Sequence, residues 1–283
     1  MPRASRYLLP GYTYHITHRC ADRQFLLRFA RDRDVYREWL RIAVARHGVP
    51  VYAYTVTSNH AHLVVHADDT ESVARLMQLL SSATAKQYNR RKDRTGPFWE
   101  DRYHCTIIQD GTYLWNCLRY VDLNMVRAGV VSHPSRWPWC GYAELAGLRQ
   151  RYRILNVERL LNSLGGGDVE GFRAAYVGDI DKSASNLAQK RELAWTESLA
   201  VGSREFVESV QSHYTWRRQF RLETGTDATG NRVWMLREMP TAYGTVPHQK
   251  TTNKVDHGER FRRNPVYANN LSWSDDANSG CSY

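Results

Sequence analysis

Residues 51–66 read VYAYTVTSNHAHLVVH, two runs rich in β-branched and aromatic residues with a polar pair between them. Such residues favour strands because their side chains pack well on a pleated surface. Ser58 and Asn59 separate the runs and are turn-forming residues, since their short polar side chains bond to nearby backbone groups. The stretch therefore predicts a β-hairpin, with strands over 51–57 and 62–66.

Further strands and helices are predicted on both sides of this hairpin. Residues 12–18 alternate in the manner of a strand, and apolar residues recur at helical spacing in 30–47, ahead of the stop at Gly48. Beyond the hairpin come a helical pattern from Val73 to Thr84, a strand at 103–108, and a third helix that carries Leu114, Leu118, Val121 and Met125 on one face. The order is the split β-α-β pattern of ferredoxin-like and RRM-like α+β folds. It predicts an antiparallel sheet with helices on one face and an additional helix after it.

The periodic signal weakens after about residue 150. Two short helices are predicted around Gly165 to Gly167, and a further one at EFVESVQ, residues 205–211. Beyond Thr224 the chain is rich in Gly, Asn, Thr, Ser and Asp, a composition that buries little apolar surface. We therefore divide the chain into a main domain at 1–150, a small helical appendage at 151–223 and a disordered tail at 224–283.

The composition is that of a globular protein, with 24% charged and 42% hydrophobic residues in 283. No apolar run reaches the 18 residues of a membrane span, and the opening residues are too polar for a signal-peptide core. The five cysteines are odd in number and form no C-x-x-C pair. The sequence predicts a cytoplasmic, nucleoid-associated protein with reduced thiols and no membrane partner.

The charge is positive and uneven. The net charge is +10, and residues 1–150 hold 21 basic against 13 acidic side chains, 19 of the basic ones arginine. The planar guanidinium suits phosphate and base edges. Nucleic acid is therefore the expected partner, although a solvated basic surface gives the same balance.

A pair of histidines in the second strand of the hairpin is the first chemical signal. His60 and His62 are two residues apart, so on a strand they point to the same face. Two neutral imidazoles can hold a divalent metal and leave positions for a phosphate oxygen and another ligand. Taken alone, an H-x-H pair more often consists of polar residues on a half-exposed strand.

The third helix adds a second signal. Tyr120 and Asn124 are four residues apart and share one face, which Arg127 extends. A phenol and an amide set against two histidines can provide a nucleophile and a further metal ligand. Without the histidines, Tyr120 is better interpreted as ordinary packing, because the chain has 17 tyrosines.

Four segments resemble the single-tyrosine transposases of the HUH endonuclease superfamily, in particular the REP-associated tyrosine transposases of the insertion-sequence-200-like group. The segments are PGYTYHITHR at 10–19, SNHAHLVV at 58–65, FWEDRYH at 98–104 and RYVDLNMVRAGVV at 119–131. LAVGSREFVE at 199–208 resembles the C-terminal part of longer members. Many relatives have proline where this chain has Ser58 and Met125, and these departures leave the proposed ligands and nucleophile in place.

The resemblance implies a role for each residue of the pattern. His60, His62 and Asn124 would bind Mg²⁺ or Mn²⁺, and Tyr120 would attack the scissile phosphate. The 1–150 domain would then be the catalytic domain of a transposase that cleaves and rejoins single-stranded DNA beside REP-like hairpins, through a 5′-phosphotyrosine. A monomer is favoured over a homodimer. Arg119, Arg127, the metal or a water would help to remove the phenolic proton.

Several side chains are candidates for DNA contact. Arginines can follow the phosphates, and an aromatic ring can stack on a base at roughly 1–3 kcal/mol per base. The candidates are Arg6, Arg90, Arg91, Arg94, Trp99, Arg102, Arg119 and Arg127.

Three other functions remain open from the sequence. A non-catalytic RRM-like module would stack bases on strand tyrosines such as Tyr52 and Tyr54, but it leaves the histidine pair and Tyr120 unexplained. An initiator of the same superfamily would need a helicase or a second nearby tyrosine, and neither is apparent. A metal-dependent hydrolase would need acidic ligands, for which Asp101, Asp110 and Asp122 are the candidates.

Overall fold

The computed structural model describes residues 8–185, 192–214, 220–226, 230 and 232–238. The strands are β1 (Tyr12–Arg19), β2 (Val51–Val56), β3 (His60–Ala67), β4 (His104–Ile108), β5 (Ala200–Gly202), β6 (Phe220–Thr226) and β7 (Arg232–Glu238). The helices are α1 (Ala30–His47), α2 (Thr70–Arg91), α3 (Thr112–Asp122), α4 (Asn124–Arg127), α5 (Tyr142–Leu145), α6 (Val157–Ser163), α7 (Val169–Ser185), α8 (Ala194–Glu197) and α9 (Arg204–Ser212).

The first four strands form the predicted antiparallel sheet in the order β2-β3-β1-β4. β1 pairs with β3 on one side and β4 on the other, so that Thr17 lies opposite both His62 and His104. Helix α1 connects β1 to β2 and α2 connects β3 to β4, in each case across the one strand that lies between them, as the split β-α-β pattern requires. The ferredoxin-like α+β class predicted from the sequence is therefore confirmed.

The two faces of the sheet are covered by different helices. Tyr14, Ile16 and Leu63 pack against α1 and α2 in one core. Val64 and Ile108, on the opposite face, pack against α3 in a second core. Because successive strand residues alternate between faces, His62 lies on the α3 side beside Val64. The first two helices share one face, as expected, and the additional helix covers the other.

The region after residue 150 is not only helical, and this corrects the predicted appendage and tail. β5 pairs in parallel with β4, and the β6–β7 hairpin extends the sheet to seven strands. Residues 232–238, predicted as disordered, form strand β7. Short strands with sparse alternation give a weak sequence signal, and the parallel pairing with β4 joins distant positions. The boundary at residue 150 stays a prediction.

The hairpin and the third helix differ in detail from the expected bounds. β3 begins at His60, two residues earlier than predicted, because the Thr57 hydroxyl accepts hydrogen bonds from the backbone N–H groups of Asn59 and His60 and fixes a tight turn. The third helix is interrupted at Leu123, which separates α3 from α4. Both histidines thus lie within the strand, and Asn124 begins a new helix.

Two features of the described residues concern the state of the cysteines and the search for membrane-spanning helices. Cys20, Cys105, Cys117 and Cys140 form no disulfide within the described residues. Burial raises the pKa of the Cys117 and Cys140 thiols well above the usual value, which makes them poor nucleophiles. Over the part of the chain that the structure describes, no helix has the length and apolar character needed to cross a bilayer.

Candidate active site

The four residues predicted as nucleophile and metal ligands meet on the sheet face that α3 covers. β3 supplies His60 and His62, the last turn of α3 supplies Tyr120, and the first residue of α4 is Asn124. The ring centres of the two histidines are 4.8 Å apart, and that of His62 is 5.8 Å from that of Tyr120. The structure therefore brings these side chains together, while their chemical roles stay a prediction.

His62 is the most enclosed of the four residues, with 1% of its surface exposed. Its Nε2 lies 3.1 Å from Asn124 Nδ2, and its Nδ1 lies 2.8 Å from Nε2 of His15 on β1. Burial lowers the pKa of His62 well below its ordinary value, and the neighbouring histidines and Arg127 lower it further. The ring is therefore neutral at physiological pH, which is the form that binds metals.

The turn before β3 orients His60. Its Nδ1 lies 2.7 Å from Asn59 Oδ1 and 2.9 Å from Thr57 Oγ1. An amide oxygen only accepts, so the contact with Asn59 Oδ1 places the proton on Nδ1. Since a neutral imidazole carries one N–H, this tautomer makes Nε2 the ligand nitrogen of His60.

Tyr120 lies at the centre of an aromatic and cationic group. It is 4% exposed, and its ring centre lies 5.9 Å from that of His15 and 6.2 Å from that of Trp195. The guanidinium carbon of Arg127 stands 4.4 Å from the centre of the Tyr120 ring. A positive charge at this distance favours the phenolate form of the tyrosine.

Arg127 is itself buried in the site. Burial lowers its pKa, while the charges of Tyr120 and Glu192 act in the opposite direction. Its Nη2 lies 3.7 Å from a carboxylate oxygen of Glu192. Of the two arginines considered for the phenolic proton, Arg127 is thus beside the ring, whereas Arg119 is paired with Asp179 at 3.2 Å.

A segment that the sequence analysis did not assign to the site covers it. We call residues 192–198, which contain α8, the strap. Trp195 of the strap is 1% exposed and packs near Tyr120, and its indole N–H donates to Glu192 at 2.9 Å. The Thr106 hydroxyl lies 2.7 Å from the carbonyl of Ser198. The strap has little signature in the sequence, because its contacts are made largely through backbone carbonyls, which every residue possesses.

The donors present fit a divalent cation. Two imidazoles and an amide converge, and the carboxamide has an oxygen that can bind a cation. His60, His62 and Asn124 would be the protein ligands of such a cation. Two nitrogen donors suit Mn²⁺ better than Mg²⁺, which prefers oxygen.

The predicted DNA-binding residues fall into three groups. Arg6 lies outside the described residues, and Arg90 and Arg102 are exposed on the surface. The other five make internal contacts: Arg91 with Asp32, Arg94 with Asn89 and Pro97, Trp99 with Ser81 and His18, Arg119 with Asp179 and Asn116, and Arg127 with Tyr120 and Glu192. Ion pairing and stacking between distant segments could not be foreseen from the basic run itself. DNA contact by Arg90 and Arg102 stays a prediction.

Two exposed aromatic residues lie on the loop between β1 and α1 and were missed. Phe25 is 65% exposed and Phe29 is 57% exposed. Arg28 and Lys92 lie 5.8 Å and 5.4 Å from the centre of the Phe29 ring. The loop adjoins the turn before β3, since Leu27 N–H donates to the Ser58 carbonyl at 2.9 Å. The signal available in the sequence was the presence of two phenylalanines in a segment that also contains basic residues.

Comparison with known families finds a match for one N-terminal part of the chain. Residues 9–124 match the family model described as "Transposase IS200 like". This part of the chain belongs to the IS200-like transposases. The matched range includes His60, His62, Tyr120 and Asn124 of the site, so the transposase family predicted from the sequence is confirmed. The IS200-like segment ends before the strap begins.

Solved structures similar to this chain include two described as transposases. One is a REP-associated tyrosine transposase bound to a REP hairpin, with 20% identity and a TM-score of 0.43, covering 60% of this chain and 93% of its own. The other is a transposase candidate from Deinococcus radiodurans, with 17% identity and a TM-score of 0.29, covering 36% of this chain and 83% of its own. The comparison with curated proteins found no match.

Proposed function

We propose that this IS200-like transposase is a metal-dependent enzyme that cleaves and rejoins single-stranded DNA at REP-like hairpins through a phosphotyrosine on Tyr120. The observation that carries the proposal is that the Tyr120 ring lies beside both His62, at 5.8 Å between ring centres, and the Arg127 guanidinium, at 4.4 Å. A phenol beside a cation and a pair of metal-ligand side chains is the arrangement that attack on a phosphodiester requires. We propose that it acts as a monomer on the nucleoid.

The chain's own residues account for the proton and charge requirements of such a reaction. Tyr120 Oη forms a bond to phosphorus, the bond from phosphorus to the 3′ oxygen breaks, and that oxygen takes up a proton as the phenolic proton leaves. Arg127 favours the phenolate, and Trp195 packs beside the Tyr120 ring. The bound cation would polarise the phosphate. In the reverse direction the 3′ hydroxyl attacks the phosphotyrosine, so strands rejoin without an external energy source.

The surface near His60 offers a path for single-stranded DNA. Phe25 and Phe29 can stack on bases, and Arg28 and Lys92 beside Phe29 can neutralise phosphates. The preference for hairpins rests on the resemblance of the motif segments to REP-associated members. Exposed Arg90 and Arg102 are further candidates for phosphate contact.

Two of the three other functions considered from the sequence, the RRM-like module and the hydrolase, have less support. Tyr14, Tyr52 and Tyr54 are fully buried, so these strand tyrosines offer no surface on which an RRM-like module stacks bases. Asp122 accepts a hydrogen bond from Tyr176 at 2.7 Å, away from the histidines, and Asp110 accepts one from Thr13. A hydrolase would therefore lack these acidic ligands.

The test is trapping of the covalent intermediate. Purified protein is incubated with end-labelled hairpin oligonucleotides from its own genomic flanks and Mg²⁺ or Mn²⁺, and run on a denaturing protein gel. A labelled protein band that is lost in Tyr120→Phe and His60→Ala, but kept in the same-helix control Tyr113→Phe, supports the proposal. Tight DNA binding without an adduct under either metal would instead identify a binding module.

A further inference from the structure

A buried chain of hydrogen bonds runs behind His62, away from the proposed metal position. His62 Nδ1 lies 2.8 Å from His15 Nε2, and His15 Nδ1 lies 2.7 Å from the backbone carbonyl oxygen of Trp195. The two imidazole planes lie within 6° of parallel and the ring centres are 5.0 Å apart, as an in-plane hydrogen bond between ring nitrogens requires. His15 is 0% exposed. The three groups thus form one continuous path from the strap to the proposed ligand.

The direction of each hydrogen bond in this path is fixed at one end. A carbonyl oxygen only accepts, so His15 Nδ1 carries the proton. His15 is fully enclosed, where a charged ring would lose its hydration, so the ring is neutral and has one N–H. His15 Nε2 is then an acceptor, and His62 Nδ1 must be the donor to it. The lone pair of His62 is left on Nε2, the nitrogen nearest to Asn124.

The carbonyl that sets this direction is itself well held. The Thr106 hydroxyl lies 3.2 Å from the Trp195 oxygen and 2.7 Å from the carbonyl of Ser198, and the Trp195 indole N–H donates to Glu192. On the next stretch of chain, Leu199 N–H donates to the carbonyl of Leu236 at 2.7 Å. The strap is therefore anchored from β4 and β7, and its position does not depend on His15 alone.

We infer that His15 is a positioning residue that, together with the Trp195 backbone carbonyl, holds His62 in the Nδ1–H tautomer with Nε2 directed at the metal position. The inference rests on the proposed function for the identity of the metal ligand. It makes the strap, which lies beyond residues 9–124 of the family match, a working part of the site. Partners of this kind behind a histidine ligand typically change metal affinity by about 10- to 100-fold.

The first experiment reads the tautomers directly. Long-range ¹H–¹⁵N correlation NMR on the metal-free full-length protein with ¹⁵N-labelled histidine distinguishes Nδ1–H from Nε2–H, with His15→Gln and His62→Gln used for assignment. We expect both rings as Nδ1–H and neutral at pH 7. A wild-type His62 found as Nε2–H, or as a mixture of tautomers, overturns the inference. This result does not depend on whether the protein binds metal.

The second experiment measures Mn²⁺ affinity by calorimetry in three variants. His15→Leu removes the acceptor and should weaken binding by about 10-fold or more. His15→Gln should restore most of the affinity, because an amide presents an oxygen and an N–H about as far apart as the two ring nitrogens. His104→Leu is the matched control, since His104 Nε2 also bonds the strap, at the Ser198 carbonyl 3.1 Å away, and should leave affinity unchanged.

The outcomes separate this inference from the proposed function. Equal Mn²⁺ affinity in folded His15→Leu and wild type overturns the positioning role, as does an equal loss in His104→Leu. If wild type binds no Mn²⁺, the proposed metal site fails, and the NMR tautomer of His62 still decides the inference. If His15→Leu does not fold, affinity in His15→Gln together with the wild-type tautomer provides the decision, with loss of affinity in His15→Gln counting against it.

Discussion

At the scale of single residues, the charge beside Tyr120 has a measurable consequence. Arg127→Gln removes the guanidinium that stands 4.4 Å from the ring centre and so disfavours the phenolate. We expect the rate of adduct formation to fall by about tenfold or more, the effect of roughly 1.4 kcal/mol. The measurement is a time course of the labelled protein band under fixed metal and DNA concentrations.

A buried arginine outside the site provides the control for this prediction. Arg33 also stacks on an aromatic ring, with its guanidinium carbon 3.9 Å from the centre of Trp139. Arg33→Gln removes a comparable stacked cation and should leave the rate within about twofold, once folding is verified by circular dichroism. An equal loss of rate in both variants would show that stability, rather than the phenolate, explains the effect.

Also at the scale of single residues, the buried carboxyl of Asp122 makes the free energy of unfolding depend on pH. Burial raises the pKa of Asp122 to about 7, against an ordinary value of 3.8, although the Tyr176 hydroxyl acts in the opposite direction. Between those values the folded state binds the proton that the unfolded state has lost, so the stabilisation is complete below pH 4 and decreases as pH rises through 7. We expect the free energy of unfolding to fall by about 1 kcal/mol between pH 6 and pH 8 from this group.

Replacement of the carboxyl tests the assignment. Asp122→Asn keeps an acceptor for the Tyr176 hydroxyl but does not ionise, so it should flatten this decrease in urea titrations at pH 6 and pH 8. Asp179→Asn, an exchange at a less buried carboxyl, should keep the wild-type slope. A slope unchanged in Asp122→Asn would assign the pH dependence to another group.

At the scale of elements, the turn between β2 and β3 orients a proposed ligand. The Thr57 hydroxyl donates to the His60 carbonyl and accepts from His60 Nδ1 at 2.9 Å. Thr57→Val preserves shape and removes both bonds, so Mn²⁺ affinity should fall by about 10-fold. Thr13→Val on β1, whose hydroxyl donates to Asp110 at 2.8 Å, should not change it. Equal Mn²⁺ affinities in the wild type, Thr57→Val and Thr13→Val would show that the turn does not contribute to metal binding.

The loop between β1 and α1 is expected to act as a stacking element for DNA. Phe25→Ala should weaken binding of a short unstructured single strand by about 10-fold, because stacking of one base contributes roughly 1–3 kcal/mol. Tyr152, which is 81% exposed and lies outside this loop, gives the matched control Tyr152→Ala, for which we expect unchanged affinity. Fluorescence anisotropy at fixed salt measures the DNA affinity of both variants. An unaltered affinity in Phe25→Ala would show that DNA bases do not stack on Phe25.

At the scale of the whole molecule, local periodicity was enough to predict single strands and helices and the face on which their residues lie. It could not predict contacts between segments that are far apart in the chain. The spacing of His60 and His62 on a strand, and of Tyr120 and Asn124 around a helix, was enough to bring candidate residues to one face. The Arg91 pairing with Asp32 and the parallel pairing of β4 with β5 join positions far apart in the chain. The Trp195 carbonyl is a backbone group that every residue possesses, so no residue pattern could indicate its role.

The second core shows that residues 1–150 depend on described residues after 150 for part of their buried packing. Leu160, Phe172, Tyr176, Ile180 and Trp195 are buried against α3 and the sheet face that carries His62. Five such side chains contribute roughly 10 kcal/mol together, at about 1.5–3 kcal/mol each, which is comparable to the whole stability of a typical domain. β5 also pairs with the edge of β4.

A chain that ends at Gln150 should therefore lack a cooperative thermal transition and aggregate. A chain that ends at Pro240, the limit of the compact unit, should melt like the full chain. Circular dichroism melting and size-exclusion chromatography of the two truncated chains make the comparison, and cooperative melting of the shorter one would mean that the core around α3 is stable without its C-terminal half.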